Sequence, residues 1–215
     1  PPNDTLKVAH GSDPACSTAT ISTPDLGNRG LLSSITTGQD GYGIISYWDP
    51  DLGALKVAHC TNATCSSSVI SIVDDPSTGS AGQSSGVTIG ADGLPLVVYT
   101  VDQTSGPDAL KAAHCSDAHC SSATLSTIAS ATSPSSCAVT VGSDGLVLIS
   151  YIESGFRVAH CDNLLCTSAT AVIVDATVGA LGHYFGTSIR IGSDGRALAS
   201  YYHDGDGNLK VAHCS

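Results

Sequence analysis

The 215-residue chain predicts an all-β fold, a small four-bladed β-propeller whose blades are four-stranded sheets of about 50 residues each. Three recurring signals carry that expectation. The phrase Leu-Lys-Val-Ala-His returns at 6–10, 55–59, 110–114 (as Leu-Lys-Ala-Ala-His), 156–160 (as Phe-Arg-Val-Ala-His) and 209–213. The tetrapeptide Gly-x-Asp-Gly returns at 38–41, 90–93, 142–145 and 192–195. Six of the nine cysteines fall in pairs of one spacing, Cys60/Cys65, Cys115/Cys120 and Cys161/Cys166.

Each repeat reads as four strands in a fixed order. Strand A is the run before the tetrapeptide (34–38, 86–90, 137–142, 186–191). Gly-x-Asp-Gly separates two apolar runs and so reads as a hairpin turn, because Asp and Gly accept the positive φ such turns demand. Strand B follows and runs to Tyr47, Tyr99, Tyr151 or Tyr201 (43–48, 94–100, 146–152, 197–203). An acidic turn leads into strand C, the Leu-Lys-Val-Ala-His phrase. Strand D is a β-branched run (18–23, 67–73, 123–129, 169–175). No stretch holds a helical period. A β-solenoid is the competing architecture, but its coils are usually shorter and more uniform than these repeats.

The strand inventory is uneven: strands A, B and D occur four times and strand C five times. The last repeat ends after C, and the first D strand (18–23) has no A or B before it. The ring closes if 18–23 completes the last blade. Cys214 then stands where the first cysteine of a pair belongs and Cys16 where the second belongs, so Cys16–Cys214 is expected as a fourth copy of the disulfide. Gly11 occupies the place of the redundant cysteine, and Cys137 is left as a free thiol. On this reading residues 12–215 form one domain with repeats at about 11–59, 60–114, 115–160 and 161–213. Residues 1–11 are a separate segment. Its strand Leu6, Lys7, Val8, Ala9, His10 is surplus, an unpaired edge available to a neighbouring molecule.

Composition narrows the class. The chain carries 8 Lys and Arg against 19 Asp and Glu, a net charge of −11, which opposes nucleic acid and anionic membranes as partners. No run reaches the length of a membrane span. Repeated disulfides predict an oxidising, secreted setting. The absence of Met, even at position 1, fits a processed N-terminus. Two acceptor triplets, at Asn3 and Asn62, fit glycosylation in the same compartment.

The repeats Leu-Lys-Val-Ala-His-Cys, Cys-x4-Cys and Ile-Gly-x-Asp-Gly-Leu-Pro-x-Ile-Ser-Tyr resemble those of large secreted microbial tandem-repeat proteins of propeller type, over residues 6–214. The resemblance implies a propeller fold and an extracellular setting, and no catalytic motif comes with it. The turn is similar to the Asp-box of sialidases but departs from it, since Ser-x-Asp-x-Gly-x-x-Trp is not present. No arginine triad carries over onto Arg29, Arg157, Arg190 and Arg196.

Candidate chemistry is sparse. The motif histidines (His10, His59, His114, His160, His213) invite a metal ring. A residue repeated in every blade serves the blade, however, and each is expected to bond a backbone group or the strand B tyrosine hydroxyl. Zinc needs four converging ligands, whereas the cysteine pairs sit one per blade. Asp40, Asp92, Asp144 and Asp194 are turn residues first, and no pair of carboxyls stands out for glycoside hydrolysis. Trp48 and the cluster His183, Tyr184, Tyr202 and His203 are the candidate ligand contacts. No metal or cofactor is expected. The sequence therefore predicts a non-enzymatic extracellular structural protein that self-associates head-to-tail through its N-terminal strand; a glycan- or protein-binding propeller is the alternative.

Overall fold

A computed structural model describes residues 5–27, 29–131, 134–179 and 186–214. They form seventeen strands in five antiparallel sheets, with no helix among the described residues. The first sheet has two strands, β1 (Leu6–Gly11) and β2 (Ala19–Asp25). Three four-stranded sheets follow. They are β3 (Leu31–Thr37), β4 (Gly43–Asp49), β5 (Ala54–Cys60) and β6 (Ser68–Asp74); β7 (Ser80–Ile89), β8 (Pro95–Asp102), β9 (Asp108–Cys115) and β10 (Ala123–Ala131); and β11 (Ser135–Val141), β12 (Val147–Ile152), β13 (Phe156–Cys161) and β14 (Ala169–Asp175). The last sheet has β15 (Thr187–Ile191), β16 (Ala197–His203) and β17 (Asn208–His213). The expected A, B, C and D strands are the first to fourth strands of each complete sheet. Four of them, β3, β7, β11 and β15, line one central cavity.

The predicted hairpins form for the predicted reason. Gly41, Gly93, Gly145 and Gly195 take φ between 78° and 83°, a region closed to most side chains. Oδ1 of the preceding Asp accepts the backbone N–H two residues on, from Tyr42, Leu94, Leu146 and Arg196 at 3.0–3.2 Å. The Cys-x4-Cys loops are equally regular. An Asx residue at the same point of each (Asp13, Asn62, Asp117, Asn163) accepts loop N–H groups, and the second cysteine is left-handed (φ 51–55°) in all four loops. Asn62 is thus a turn residue whose Nδ2 donates to Ser66; Asn3 lies outside the described residues.

Packing runs from sheet to sheet. The Leu and Val of each Leu-Lys-Val-Ala-His strand face the next sheet: Leu55 and Val57 cluster with Val87, Val97 and Tyr99, and Leu6 with Ile45, Tyr47 and Ala58. Fully burying such a side chain contributes about 1.5–3 kcal/mol. The last copy has no following sheet, and there Leu209 and Val211 are 75% and 60% exposed, against 0% for Leu55 and Val57.

The expected ring closure is not what forms. β2 pairs with β1, in register from Val8↔Ser22 to Gly11↔Ala19, and β17 pairs only with β16. The sheets are not closed into a four-bladed ring. The physical reason is that β1 keeps its own D strand while Leu6 packs on the next sheet, so β1 is not surplus and Lys7 bonds Thr23 within the same sheet. Cys60–Cys65, Cys115–Cys120 and Cys161–Cys166 form as expected, with Cα–Cα separations of 4.7, 4.7 and 5.0 Å. Cys16 and Cys214 are both free thiols, so the fourth copy across the ends is not made. Cys137 is free and buried, as the sequence predicts.

Cys16 keeps the geometry of a paired cysteine, and a Cβ built on Gly11 lies 2.7 Å from its Sγ. Replacing Gly11 with Cys should therefore form a disulfide to Cys16 and raise stability by about 2 kcal/mol. Thiol counting and thermal melts with and without reductant check this.

Candidate functional site

The two ends of the sheets carry different chemistry. At one end, three of the four D strands finish in an aspartate that reaches the next sheet. Tyr47 donates to Asp25 at 2.7 Å, Tyr99 to Asp74 at 2.7 Å and Tyr201 to Asp175 at 2.8 Å. The motif lysine of the following sheet joins each time: Lys56 to Asp25 at 3.4 Å, Lys111 to Asp74 at 3.0 Å and Lys210 to Asp175 at 3.8 Å. Burial raises the phenols of Tyr47 and Tyr99, and the neighbouring carboxylates raise them further. The first latch is the most elaborate, since Arg29 and Lys56 both lie between Asp25 and Asp49. Burial pushes the Asp49 carboxyl up, but the hydrogen bond and charge of Lys56 outweigh it and hold the group low.

The third complete sheet breaks the pattern. Strand β10 has no aspartate at its end, and Glu153, on the turn after β12, stands beside Tyr151 and Arg157 instead. It is the one glutamate of the chain and is buried. That burial lifts its carboxyl above the ordinary range, against the opposing charge of Arg157. Asp175 lies at the same end of the same sheet, paired in register with Phe156. Its carboxyl goes the other way, down to about 2, through hydrogen bonds from Thr177 and then Tyr201. Two carboxyl residues at one end of one sheet are thus displaced in opposite directions.

At the other end four of the five motif histidines meet the aspartate of their own hairpin. His59, His114, His160 and His213 place Nε2 2.8–2.9 Å from Oδ2 of Asp40, Asp92, Asp144 and Asp194. This corrects the expectation that they bond backbone or tyrosine: Tyr47, Tyr99 and Tyr201 are taken by the D-strand aspartates. No metal ring forms from them, and no group of three or more ligating side chains converges among the described residues.

The remaining candidates scatter. Trp48 donates to Ser80 of the next sheet at 2.8 Å, which makes it a packing residue. His203 is buried between Asp206 (2.7 Å) and Thr177 (2.9 Å), inside the turn of the last sheet. Tyr202 is partly buried on the same strand. His183 and Tyr184 lie outside the described residues. The central cavity, of about 240 Å³, is lined by Ser33, Ser85, Cys137, Thr187 and Arg190 among others, and no carboxylate among the described residues lines it. Burial pushes the Cys137 thiol up to about 11. The sequence reading missed Glu153 and the latch aspartates; the acidic residue closing three of the four D strands was the available signal.

No protein-family model matches the sequence, and no curated protein matches it. Solved structures do match in fold. An endo-arabinase from Bacteroides thetaiotaomicron aligns with TM-score 0.55 at 9% identity, over 91% of this chain and 81% of its own. A thermostable family-43 glycoside hydrolase aligns with TM-score 0.54 at 12% identity, over 89% and 72%. An α-L-arabinofuranosidase from Lactobacillus brevis aligns with TM-score 0.51 at 13% identity, over 94% and 80%. The all-β, propeller-like fold is therefore shared with glycoside hydrolases. This overturns the expectation of a non-enzymatic structural protein that assembles through its N-terminal strand, a strand already paired within its own chain. The three disulfides place the chain in an extracellular or periplasmic setting. No helix is long and apolar enough to cross a membrane among the described residues.

The Asp175 shift fixes a pH dependence. Its folded-state carboxyl lies below the unfolded value, so the latch contributes stability above about pH 4 and loses it as pH falls towards 2. Thermal melts from pH 6 to pH 2 should show that loss, and the Asp175→Asn variant should show a shallower one.

Proposed function

We propose that this chain is a secreted, propeller-type protein that processes glycans by hydrolysing a glycosidic bond at the acidic rim. Glu153 is the proton donor and Asp175 the ionised carboxylate. The observations that carry the reading are the placing of Glu153 and Asp175 at one end of one sheet, where Asp175 pairs with Phe156 beside the Glu153 turn, and the opposite displacement of their carboxyls, in a fold shared with glycoside hydrolases. Hydrolysis with two carboxyls requires one that holds a proton near neutral pH and one that does not, about 5–10 Å apart. Burial of Glu153 favours its protonated form, and the Thr177 and Tyr201 hydrogen bonds favour the ionised form of Asp175. Arg157 beside Glu153 steadies the carboxylate left after proton transfer.

The substrates to try first are those of the fold relatives, arabinan and arabinofuranosides, with xylo-oligosaccharides next. The fold is propeller-like, and the Leu-Lys-Val-Ala-His repeats resemble those of secreted microbial repeat proteins, which agrees with a glycan outside the cell as the partner.

Sugar release from arabinan, xylan and an aryl arabinofuranoside tests this. The parent chain should hydrolyse at least one, with a rate that falls as pH rises through the Glu153 ionisation. Glu153→Gln should lose about 100-fold or more with an unchanged melting temperature. No release from any of the three, or a fully active Glu153→Gln, overturns the reading.

A further inference from the structure

One histidine pair stands apart from the repeat. In the loop between β9 and β10, His119 precedes the second cysteine, a place held by Ala15, Thr64 and Leu165 in the other loops. The loop docks on the preceding sheet, where Ser71 donates to the His119 carbonyl at 2.8 Å. From there the His119 ring meets His59 of β5, with Nδ1 to Nδ1 at 2.8 Å and ring centroids 4.7 Å apart. On the far side of the His59 ring, Nε2 is 2.9 Å from Asp40 Oδ2, although its N–H is not aligned on the carboxylate. His59 is buried, and His119 is exposed.

Two Nδ1 atoms at this distance cannot both carry a proton. With both rings neutral, one N–H faces the other's lone pair. We propose that His59 and His119 form a binding site for a divalent transition-metal ion that prefers imidazole, Cu(II) or Ni(II) first. Metal–imidazole nitrogen distances are about 2.0–2.1 Å. Two such nitrogens at right angles around one ion are then about 2.8–3.0 Å apart, which is the cis edge of the tetragonal geometry these ions favour. The 2.8 Å between the two Nδ1 atoms is that edge. The proton shared between the rings moves to the exposed Nε2 of His119, and both Nδ1 lone pairs turn to the metal. Asp40 then stands behind His59 as the carboxylate that orients a ligating imidazole from its other nitrogen. With no third side chain converging among the described residues, water completes the shell on the open, His119 side. One feature sets the pair apart from the other hairpin histidines: among the Cys-x4-Cys loops only this one carries an imidazole before its second cysteine, a place held by Leu165 in the loop of the following sheet.

Calorimetric titration of the metal-free, folded chain with Ni(II), and copper titration followed by electron paramagnetic resonance, test the site. Cys16→Ser with Cys214 alkylated is the parent, so that free thiols do not compete. One equivalent should bind, with two nitrogen ligands in the copper spectrum and an affinity that falls below about pH 6 as imidazole protonates. His119→Ala should weaken binding at least tenfold without shifting the metal-free melting temperature, since Ala15 fills the same place in the first loop. His160→Ala and His213→Ala, which remove exposed aspartate-paired rings, should leave binding unchanged. Equal affinity in His119→Ala, or loss of binding only in His160→Ala or His213→Ala, overturns the proposal.

Discussion

Each sheet of this protein is apolar on a face that only another sheet can cover, and the rest of the structure follows from that constraint. Leu55, Val57 and Leu110 vanish from solvent because a following sheet lies over them; Leu209 and Val211, the same residues of the last copy, stay wet because none does. The aromatic content is too small for a single large core, so apolar burial is divided into four clusters along the chain. The Tyr–Asp–Lys latch adds direction to this non-directional attraction. It ties the end of one strand D to strand B and strand C of the next sheet, fixing how far each sheet slides over its neighbour. Truncating one partner leaves a buried polar atom unpaired, so each latch enforces register as well as contributing stability.

The same device separates the chemistry of the two ends. At the latch end, carboxylates are paired with lysine, arginine and phenol, and the third complete sheet is the place where the pairing changes hands. Without an aspartate on β10, Glu153 takes up the position beside Tyr151 and is buried next to Arg157. A substitution in a repeated structural unit is a common way for a binding or reacting group to arise, because the scaffold already holds the position rigid. The hairpin end shows the same logic with His119, a single exchange in one loop that meets an existing Asp40–His59 pair. Fold likeness to glycoside hydrolases does not by itself assign a reaction, and no carboxylate among the described residues lines the central cavity.

Much of the architecture was legible because repetition makes sequence self-annotating. The Gly-x-Asp-Gly turns, the order of strands and three disulfides follow from spacing and from the φ preference of glycine. The fate of strand 18–23 was not legible. Its β-branched pattern suits pairing with β1 or with β17 equally well, and the choice is made by burial of Leu6 on the sheet that follows, a contact between segments far apart in sequence. The candidate acid was missed for a related reason. A lone Glu153 on a turn reads as solvated until the missing aspartate of β10 is seen beside it. The histidines misled in the opposite direction: their alternation placed them correctly on strand C, but their partner was the hairpin aspartate already explained by its turn.

The most direct test of the account is a double-mutant cycle on one latch, Tyr99→Phe with Asp74→Asn, measured by reversible chemical denaturation. If the latch couples neighbouring sheets, the two changes are non-additive by about 1–3 kcal/mol. Additive effects within about 0.3 kcal/mol would mean that the sheets are held together by apolar burial alone, and the latch would lose its place at the centre of the account.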